Sequence, residues 1–211
     1  MFPILLDLAR LRVAVVGNGE AALKRLALLD EDGARHVAVY ADDPAPALEA
    51  AAGARLRRLV PTAAELAGFH LVFAAELGES RLVQLAATVR ALGTLLHVED
   101  RPALGTVHAP ATLRRGDLVI SVSTNGRSPG LAKRVKRFLE GVFGEAWQGR
   151  LDELARLREG WREAGAGMGD VARWTEEWID RQDWLPAETS ALPSTSPARE
   201  DGTERRRAIA G

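Results

Sequence analysis

The stretch from Val13 to Leu29 narrows the choice of fold more than any other. Val13-Ala14-Val15-Val16 is a compact run rich in β-branched residues, it stops at Gly17-Asn18-Gly19, and Glu20-Ala21-Ala22-Leu23-Lys24-Arg25-Leu26-Ala27-Leu28-Leu29 follows without a break. β-Branched side chains suit a pleated strand, and Leu23, Leu26 and Ala27 keep helical spacing. The order is therefore strand, tight turn, helix. Gly33 falls where a left-handed C-terminal cap is expected, just before a second strand at His36 to Tyr40. Together these form a βαβ unit of roughly 30 residues. Further strands are expected at His70 to Ala75 and Thr94 to Val98, with a helix at Ser80 to Ala91 between them. Such alternation predicts an α/β fold, a mainly parallel sheet with helices on both faces.

Within that frame, Gly17-x-Gly19-x-x-Ala22 is the glycine fingerprint of dinucleotide-binding turns, with the final Ala that the pattern permits. Gly17 allows the tight turn, Gly19 lets backbone approach a pyrophosphate, and the small Ala22 lets the helix pack close to the strand. The free N–H groups at the helix start then face the phosphates. An ordinary glycine turn is the plainer alternative, and the flanking strand and helix favour the nucleotide. At the end of the second strand stands Tyr40-Ala41-Asp42-Asp43. Carboxylates there can accept hydrogen bonds from an adenosine ribose and repel a 2'-phosphate, and no Arg follows the strand to receive one. NAD is expected rather than NADP. The start of a solvated loop would equally account for Asp42 or Asp43 taken singly.

After Asp100 the character changes. A loop-like stretch with Pro102, Gly105 and Pro110 leads to a strand at Asp117 to Ser123, and Thr124-Asn125-Gly126-Arg127 turns into a helix. Ser128 can cap that helix, and Pro129 takes its first position, where a missing N–H costs nothing. Between Thr112 and Arg137 the basic residues Arg114, Arg115, Arg127, Lys133, Arg134, Lys136 and Arg137 face a single acid, Asp117. A local positive field beside a helix N-terminus suits a small polyanionic substrate, because guanidinium groups hold carboxylates in bidentate fashion. Many of these cations would serve equally as a solvated helix face; Arg127 and Ser128, at the turn, are the better candidates. Asp100 ends the fourth expected strand, at the carboxyl edge where open α/β sheets bind ligands. A carboxylate there can act as a base, although from the residues alone a turn or cap role is the simpler account. His36, His70, His97 and His108 lack metal-ligand spacing, so no metal site is expected. From Leu151 to about Trp184 the pattern is helical and charged, with Trp174 and Trp178 on one face. Its tryptophans are read as core or dimer packing.

Composition enters as a set of exclusions. Lys plus Arg number 28 and Asp plus Glu 29, a formal net charge of -1, so neither nucleic acid nor an anionic membrane is an expected partner. The 211 residues contain no cysteine, which removes disulfides, thiolate metal sites and cysteine nucleophiles together. Charges interrupt every apolar run before the roughly 18 residues that a membrane span requires. Met1 to Arg12 lacks the basic start and cleavage site of an export signal, and a cytoplasmic protein is expected.

Five stretches stand in one order: Phe2-Pro3-Ile4-Leu5-Leu6-Asp7-Leu8; Val15-Val16-Gly17-Asn18-Gly19-Glu20-Ala21-Ala22; His97-Val98-Glu99-Asp100; Pro110 through Arg115-Gly116-Asp117-Leu118; and Ser121-Val122-Ser123-Thr124-Asn125-Gly126-Arg127-Ser128-Pro129. That order resembles the precorrin-2 dehydrogenase and sirohydrochlorin ferrochelatase family, including the N-terminal module of siroheme synthase. The likeness covers residues 1 to 145 well, and the part to about 184 in general character. It implies a Rossmann-type domain over 1–110 that binds NAD, a dimerisation and substrate region over 111–145, a small helical domain over 146–185, and a homodimer. A disordered tail is expected over 186–211 from its composition. The implied reaction is NAD-dependent oxidation of precorrin-2 to sirohydrochlorin, with ferrous iron inserted by some members.

The family's essential aspartate falls on Asp100, as proton acceptor. Its nucleotide contacts fall on Glu20 and Ala21 and on Ala41 and Asp42, within a cofactor-binding set of Gly17, Asn18, Gly19, Glu20, Ala21, Ala22, Ala41, Asp42, Ala74 and Ala75. Ser123, Thr124, Arg127 and Ser128 are expected to hold the tetrapyrrole. The chain departs from the family at Glu76-Leu77, where a Thr or Ser followed by an acid is usual, at His97, where Asn is usual, and in the loop Ala103 to His108. Two other readings compete: an NAD-sensing regulatory module without chemistry, and a dehydrogenase of another small anion.

Overall fold

The apolar run at Val13 becomes the middle strand, β1 (Arg12–Val16), of a five-stranded sheet in the computed structural model, which describes residues 1–185. The expected tail over 186–211 lies outside the described residues. The other strands are β2 (His36–Tyr40), β3 (Leu56–Arg57), β4 (Leu71–Ala74) and β5 (Leu95–Val98), in spatial order β3-β2-β1-β4-β5. Every pairing is parallel. Val16 is level with Tyr40 on one side and Ala74 on the other, and Ala74 with Val98, so the carboxyl ends of four strands share one edge.

Alternation along β1 divides the core into two layers, since successive strand side chains point to opposite faces. Val13 and Val15 pack with Leu26 and Leu29 of α1 (Glu20–Glu31) and Leu48 of α2 (Pro46–Ala52). Ala14 and Val16 pack on the other face with Leu66 of α3 (Ala63–Leu66) and Leu82, Leu85 and Val89 of α4 (Glu79–Ala91). Leu26, Leu48, Leu66 and Val89 are almost wholly buried, each stabilising the fold by roughly 1.5–3 kcal/mol relative to exposure. Gly33 has a φ of +76° after α1, the left-handed value expected of it.

The described chain falls into two compact units, Met1–Arg115 with Val119–Gly144, and Gly116–Leu118 with the chain from Glu145 onward. Besides the sheet, the first unit holds a small two-stranded sheet of β6 (Ala111–Arg115) and β7 (Leu118–Val122), and α5 (Pro129–Val142) packed on β6. Where a loop was expected after Asp100, β6 is a strand, and Leu113 is its buried anchor. The second unit contains α6 (Ala146–Glu163) and α7 (Met168–Arg181). The helical pattern expected from Leu151 thus starts earlier and breaks between two helices, at Gly165 with its φ of +87°. Trp161 of α6 meets Trp174 of α7 edge to face at 5.7 Å, and Trp178 meets Trp184 at 4.7 Å. These tilted pairs are the favoured aromatic geometry.

Candidate functional site

Because the strands are parallel and level, the residues just past β1, β2, β4 and β5 converge on one edge. β1 feeds α1 on one face and its neighbour β4 feeds α4 on the other. Connections that leave in opposite directions open a crevice between those two strands, the place where open α/β sheets bind ligands.

Gly17, with φ +157°, bonds its N–H to the Tyr40 carbonyl at 3.0 Å. A Cβ there would lie 2.1 Å from the Ala75 backbone oxygen and 3.3 Å from the Ala22 Cβ, so no side chain fits where β1, β4 and α1 meet. Ala22 is fully buried. A Cβ on Gly19 would instead meet the Glu76 carboxylate, Oε2 at 2.1 Å. No side chain from the capping residue, Gly19, closes the start of α1; the Ala21 N–H donates to Glu76 Oε2 at 3.1 Å. A carboxylate thus rests on the N–H groups of a helix start, and the same donors suit a phosphate. The glycine cradle and these donors fit a dinucleotide pyrophosphate. Glu20 points to Lys24, 2.7 Å away, and that partner holds its carboxyl below the ordinary range.

At the end of β2, Ala41 is buried and its N–H bonds Arg57 O at 3.0 Å. Asp42 accepts from Asn18 Nδ2 at 2.9 Å on one oxygen and from Arg81 at 2.7 Å on the other. Those two donors, Asn18 first, hold its carboxyl below the usual range. Asn18 also fastens the loop, its Oδ1 accepting from the Asp43 N–H at 3.4 Å. Beside this cluster is a cavity of about 290 Å³ with Leu59, Leu77 and Leu85 among its apolar walls and Thr88 and Gln84 among its polar ones. An apolar slot with few polar groups suits a flat heterocycle. Ala74 and Ala75 are buried, and the Ala75 N–H bonds Val16 O at 3.0 Å. They floor the crevice through backbone.

Asp100 follows β5 in the left-handed region, φ +57°, and its side chain is exposed at the edge. It is therefore a turn residue and an available carboxylate together. Its neighbours in sequence are engaged: Glu99 pairs with Arg25 at 2.9 Å, and Arg101 pairs with both oxygens of Glu79 at 2.6 and 2.7 Å. His97 stands 3.5 Å from Glu99 and accepts from the Ala109 N–H at 3.3 Å. Burial, aided by Arg25, pushes its pKa down from 6.5. Burial pushes Glu99 up, but Arg25 and His97 outweigh it and leave that carboxyl below its ordinary value.

The turn before α5 comes to the same neighbourhood. Asn125 and Gly126 are both left-handed, and a Cβ on Gly126 would be 3.7 Å from Pro102, two residues beyond Asp100. Ser123 Oγ accepts from the Asn125 N–H at 3.2 Å, Thr124 Oγ1 from the Ser128 N–H at 3.1 Å, and Ser128 Oγ from the Leu131 N–H at 3.3 Å. The hydroxyl oxygens build the turn, and each keeps an O–H to donate. Arg127 is exposed at the tip. The expected basic field is partly paired, Arg114 with Asp32 at 2.7 Å and Lys136 with Glu140 at 3.3 Å. Among the described residues no group of three or more His, Asp and Glu side chains is gathered as a metal site, and no helix is long and apolar enough to cross a membrane.

Glu76, Arg81 and the Arg25–His97–Glu99 cluster were not read as site groups from the sequence, although Glu76 and His97 had been marked as departures. Arg81 lies 39 residues from Asp42 and carries no local signal.

Comparison with known proteins places these features in a family. Residues 4–111, just over half of the chain, match a family model described as "Putative NAD(P)-binding", and residues 115–141 match "Sirohaem biosynthesis protein central". Siroheme synthase of Pseudomonas putida is 38% identical over 70% of this chain and 32% of its own length; that of Methylococcus capsulatus is 34% identical over 76% and 34%. Siroheme synthase 2 of Aeromonas salmonicida is 31% identical over 84% of this chain and 39% of its own. The chain thus spans about a third of the length of the curated relatives it matches. The solved structure of "SirC, precorrin-2 dehydrogenase" shares the fold with a TM-score of 0.68 at 24% identity, covering 88% of this chain and 92% of that one. The chain belongs to the NAD(P)-binding family of the first model, with the sirohaem-biosynthesis central segment following it, as the motif order from Phe2 to Pro129 had implied.

Proposed function

We propose that the chain is a precorrin-2 dehydrogenase that uses NAD to form sirohydrochlorin, and that it works as a cytoplasmic homodimer. The observation that carries this reading is the convergence of the Gly17–Ala22 turn and Asp100 on one sheet edge, with the 123–128 turn packed beside Pro102. Gly17 and Gly19 leave room for the pyrophosphate, and the N–H groups at the start of α1 hold it. Asn18 and Asp42 meet the ribose, and the apolar slot takes the adenine. When bound, the nicotinamide supplies a hydride acceptor. With the hydride passing to the nicotinamide, the two-electron oxidation also releases one proton from the macrocycle, and Asp100, exposed beside the crevice, accepts it on its carboxylate. Arg127 and the O–H groups of Ser123, Thr124 and Ser128 hold carboxylates of the substrate. On α5, Leu131, Phe138 and Val142 are exposed apolar residues, 53%, 70% and 48% accessible, that a second copy would cover.

The test supplies the purified protein with enzymatically made precorrin-2 and NAD under anaerobic conditions and follows the visible spectrum. Sirohydrochlorin should appear only with NAD, and Asp100→Ala should lower turnover by on the order of a hundredfold or more while nucleotide affinity stays within a few-fold. Ferrous iron added afterwards reads the chelatase step, a rate above the uncatalysed one being the positive result. Nucleotide binding without any spectral change would instead favour a sensing module, and turnover surviving in Asp100→Ala would remove Asp100 from the mechanism.

A further inference from the structure

At the ribose end of the crevice the fold supplies what the sequence lacks nearby. A carboxylate after β2 ordinarily excludes a 2'-phosphorylated dinucleotide by repulsion, and no Arg follows that strand. Arg81, in the first turn of α4, reaches across and places NH1 2.7 Å from Asp42 Oδ2. Asn18 Nδ2 is 2.9 Å from the other oxygen. The ribose carboxylate is therefore already neutralised by a guanidinium and engaged on both oxygens.

The neighbouring charges leave Arg81 available for a shared role. Glu79, on the same helical turn, is taken by Arg101 through two bonds. Glu76 is turned to the Ala21 N–H, and Asp43 adds a further acid on the β2 loop. Among the described residues, Asp42 is the one ion-pair partner of Arg81. A guanidinium has five N–H donors in a planar fork, and a single pair uses only part of them. The Arg81 side chain is 51% exposed and borders the cavity together with Asn18 and Asp42, so the fork can turn toward a new anion without leaving a buried charge unpaired.

We propose that Arg81 sets cofactor specificity, pairing with a 2'-phosphate so that the site takes NADP alongside NAD. This rests on the dinucleotide reading above. A phosphate monoester brings up to two negative charges and three acceptor oxygens, which a guanidinium meets in bidentate fashion. The bare ribose of NAD needs only the hydroxyl acceptors of Asp42 and asks nothing of Arg81.

Titration calorimetry on the full chain with NAD and NADP tests the assignment, with Arg81→Leu retaining an apolar stem and Asp42→Asn removing the opposing charge. NADP should bind the wild type within about tenfold of NAD, and Arg81→Leu should weaken NADP by on the order of tenfold or more while NAD stays within about threefold. Asp42→Asn should move the preference the other way, toward NADP. Added salt should weaken NADP more than NAD. Equal losses for both nucleotides in Arg81→Leu would show that Arg81 only holds Asp42 in place, and would overturn the proposal. So would a wild type that binds NAD and rejects NADP by more than about a hundredfold. Failure of NAD itself to bind would instead defeat the dinucleotide reading, a result distinct from normal NAD binding with no Arg81-dependent difference.

Discussion

Glu76 takes a backbone N–H that the proposed pyrophosphate would use. Its Oε2 takes the Ala21 N–H at 3.1 Å and stands where a Gly19 Cβ would be, so nucleotide and carboxylate compete for the same donors. The backbone is left-handed at Glu76, φ +53°, a conformation disfavoured for a residue with a side chain. Exchanging Glu76 for Thr removes the competing charge, and NAD should then bind several-fold more tightly by calorimetry; weaker binding would mean that Glu76 assists the nucleotide. His97 makes a second residue-scale prediction. Burial, with Arg25 beside it, disfavours the charged imidazole in the fold, so below pH 6.5 the unfolded chain takes up a proton more readily than the folded chain. Stability should fall as pH drops from 6.5 through the folded pKa, and above 6.5 this residue should contribute no slope. Urea midpoints taken from pH 8 to pH 5 should flatten in His97→Asn. An unchanged slope would show that other groups carry the acid sensitivity. The sequence made Gly17, Gly19, Ala22 and Asp42 legible because each belongs to a local pattern with a steric or hydrogen-bonding reason. It could not reveal Glu76 on the helix start or Arg81 on Asp42, because both depend on the distance between β4, α4 and the first βαβ unit.

At the scale of elements, the punctuation mattered more than the hydrophobic pattern. The cap at Ser128 was readable from Ser128 followed by Pro129 after the Thr124–Arg127 turn, and in the structure Ser128 Oγ accepts from the Leu131 N–H while Pro129 begins α5. Ser128→Ala should therefore cost about 1 kcal/mol and lower the thermal midpoint by a few degrees. A midpoint that does not move would mean that solvent caps the helix equally well. Gly17→Ala is the more severe change. A Cβ 2.1 Å from the Ala75 oxygen forces β1 and β4 apart, and left-handed strain alone costs about 1–3 kcal/mol. Its far-UV dichroism and melting should show a strongly destabilised protein, whereas Gly19→Ala should fold and lose nucleotide, since only the flexible end of Glu76 opposes it. The elements that escaped the sequence reading were short or weakly patterned: β3 has two residues and α3 four. Even so, α3 carries a capping box of Thr62 and Glu65, whose partners sit three residues apart. β6 was hidden by Pro102 and Pro110 before it, and its strand character comes from pairing with β7 and packing under α5 rather than from its own sequence.

At the scale of the whole molecule, α5 presents an exposed apolar face among the described residues. The helix packs Ala132 inward toward β6 and leaves Leu131, Phe138 and Val142 outward, with Phe138 70% accessible. Scattered apolar residues on a surface are ordinary, but three on one amphipathic helix form a patch, and patches of this kind mark interaction sites. The net charge of -1 offers little repulsion between copies of the chain. A stable dimer requires roughly 800 Å² from each partner, more than one helix face supplies, so the partner's β6–β7 segment would have to contribute as well. The prediction is that the wild type sediments as a dimer and that Phe138→Glu, which places a charge in that apolar face, shifts it to monomer at micromolar concentration. NAD affinity should stay within a few-fold, because the glycine turn and Asp42 lie at the edge of the five-stranded sheet and not on α5. If the chain oxidises precorrin-2 as proposed, that turnover should fall in the monomer where the 123–128 turn, which leads directly into α5, needs the dimer to hold its shape. A dimer that persists in Phe138→Glu would place the interface elsewhere. Dissociation with full turnover would separate assembly from catalysis.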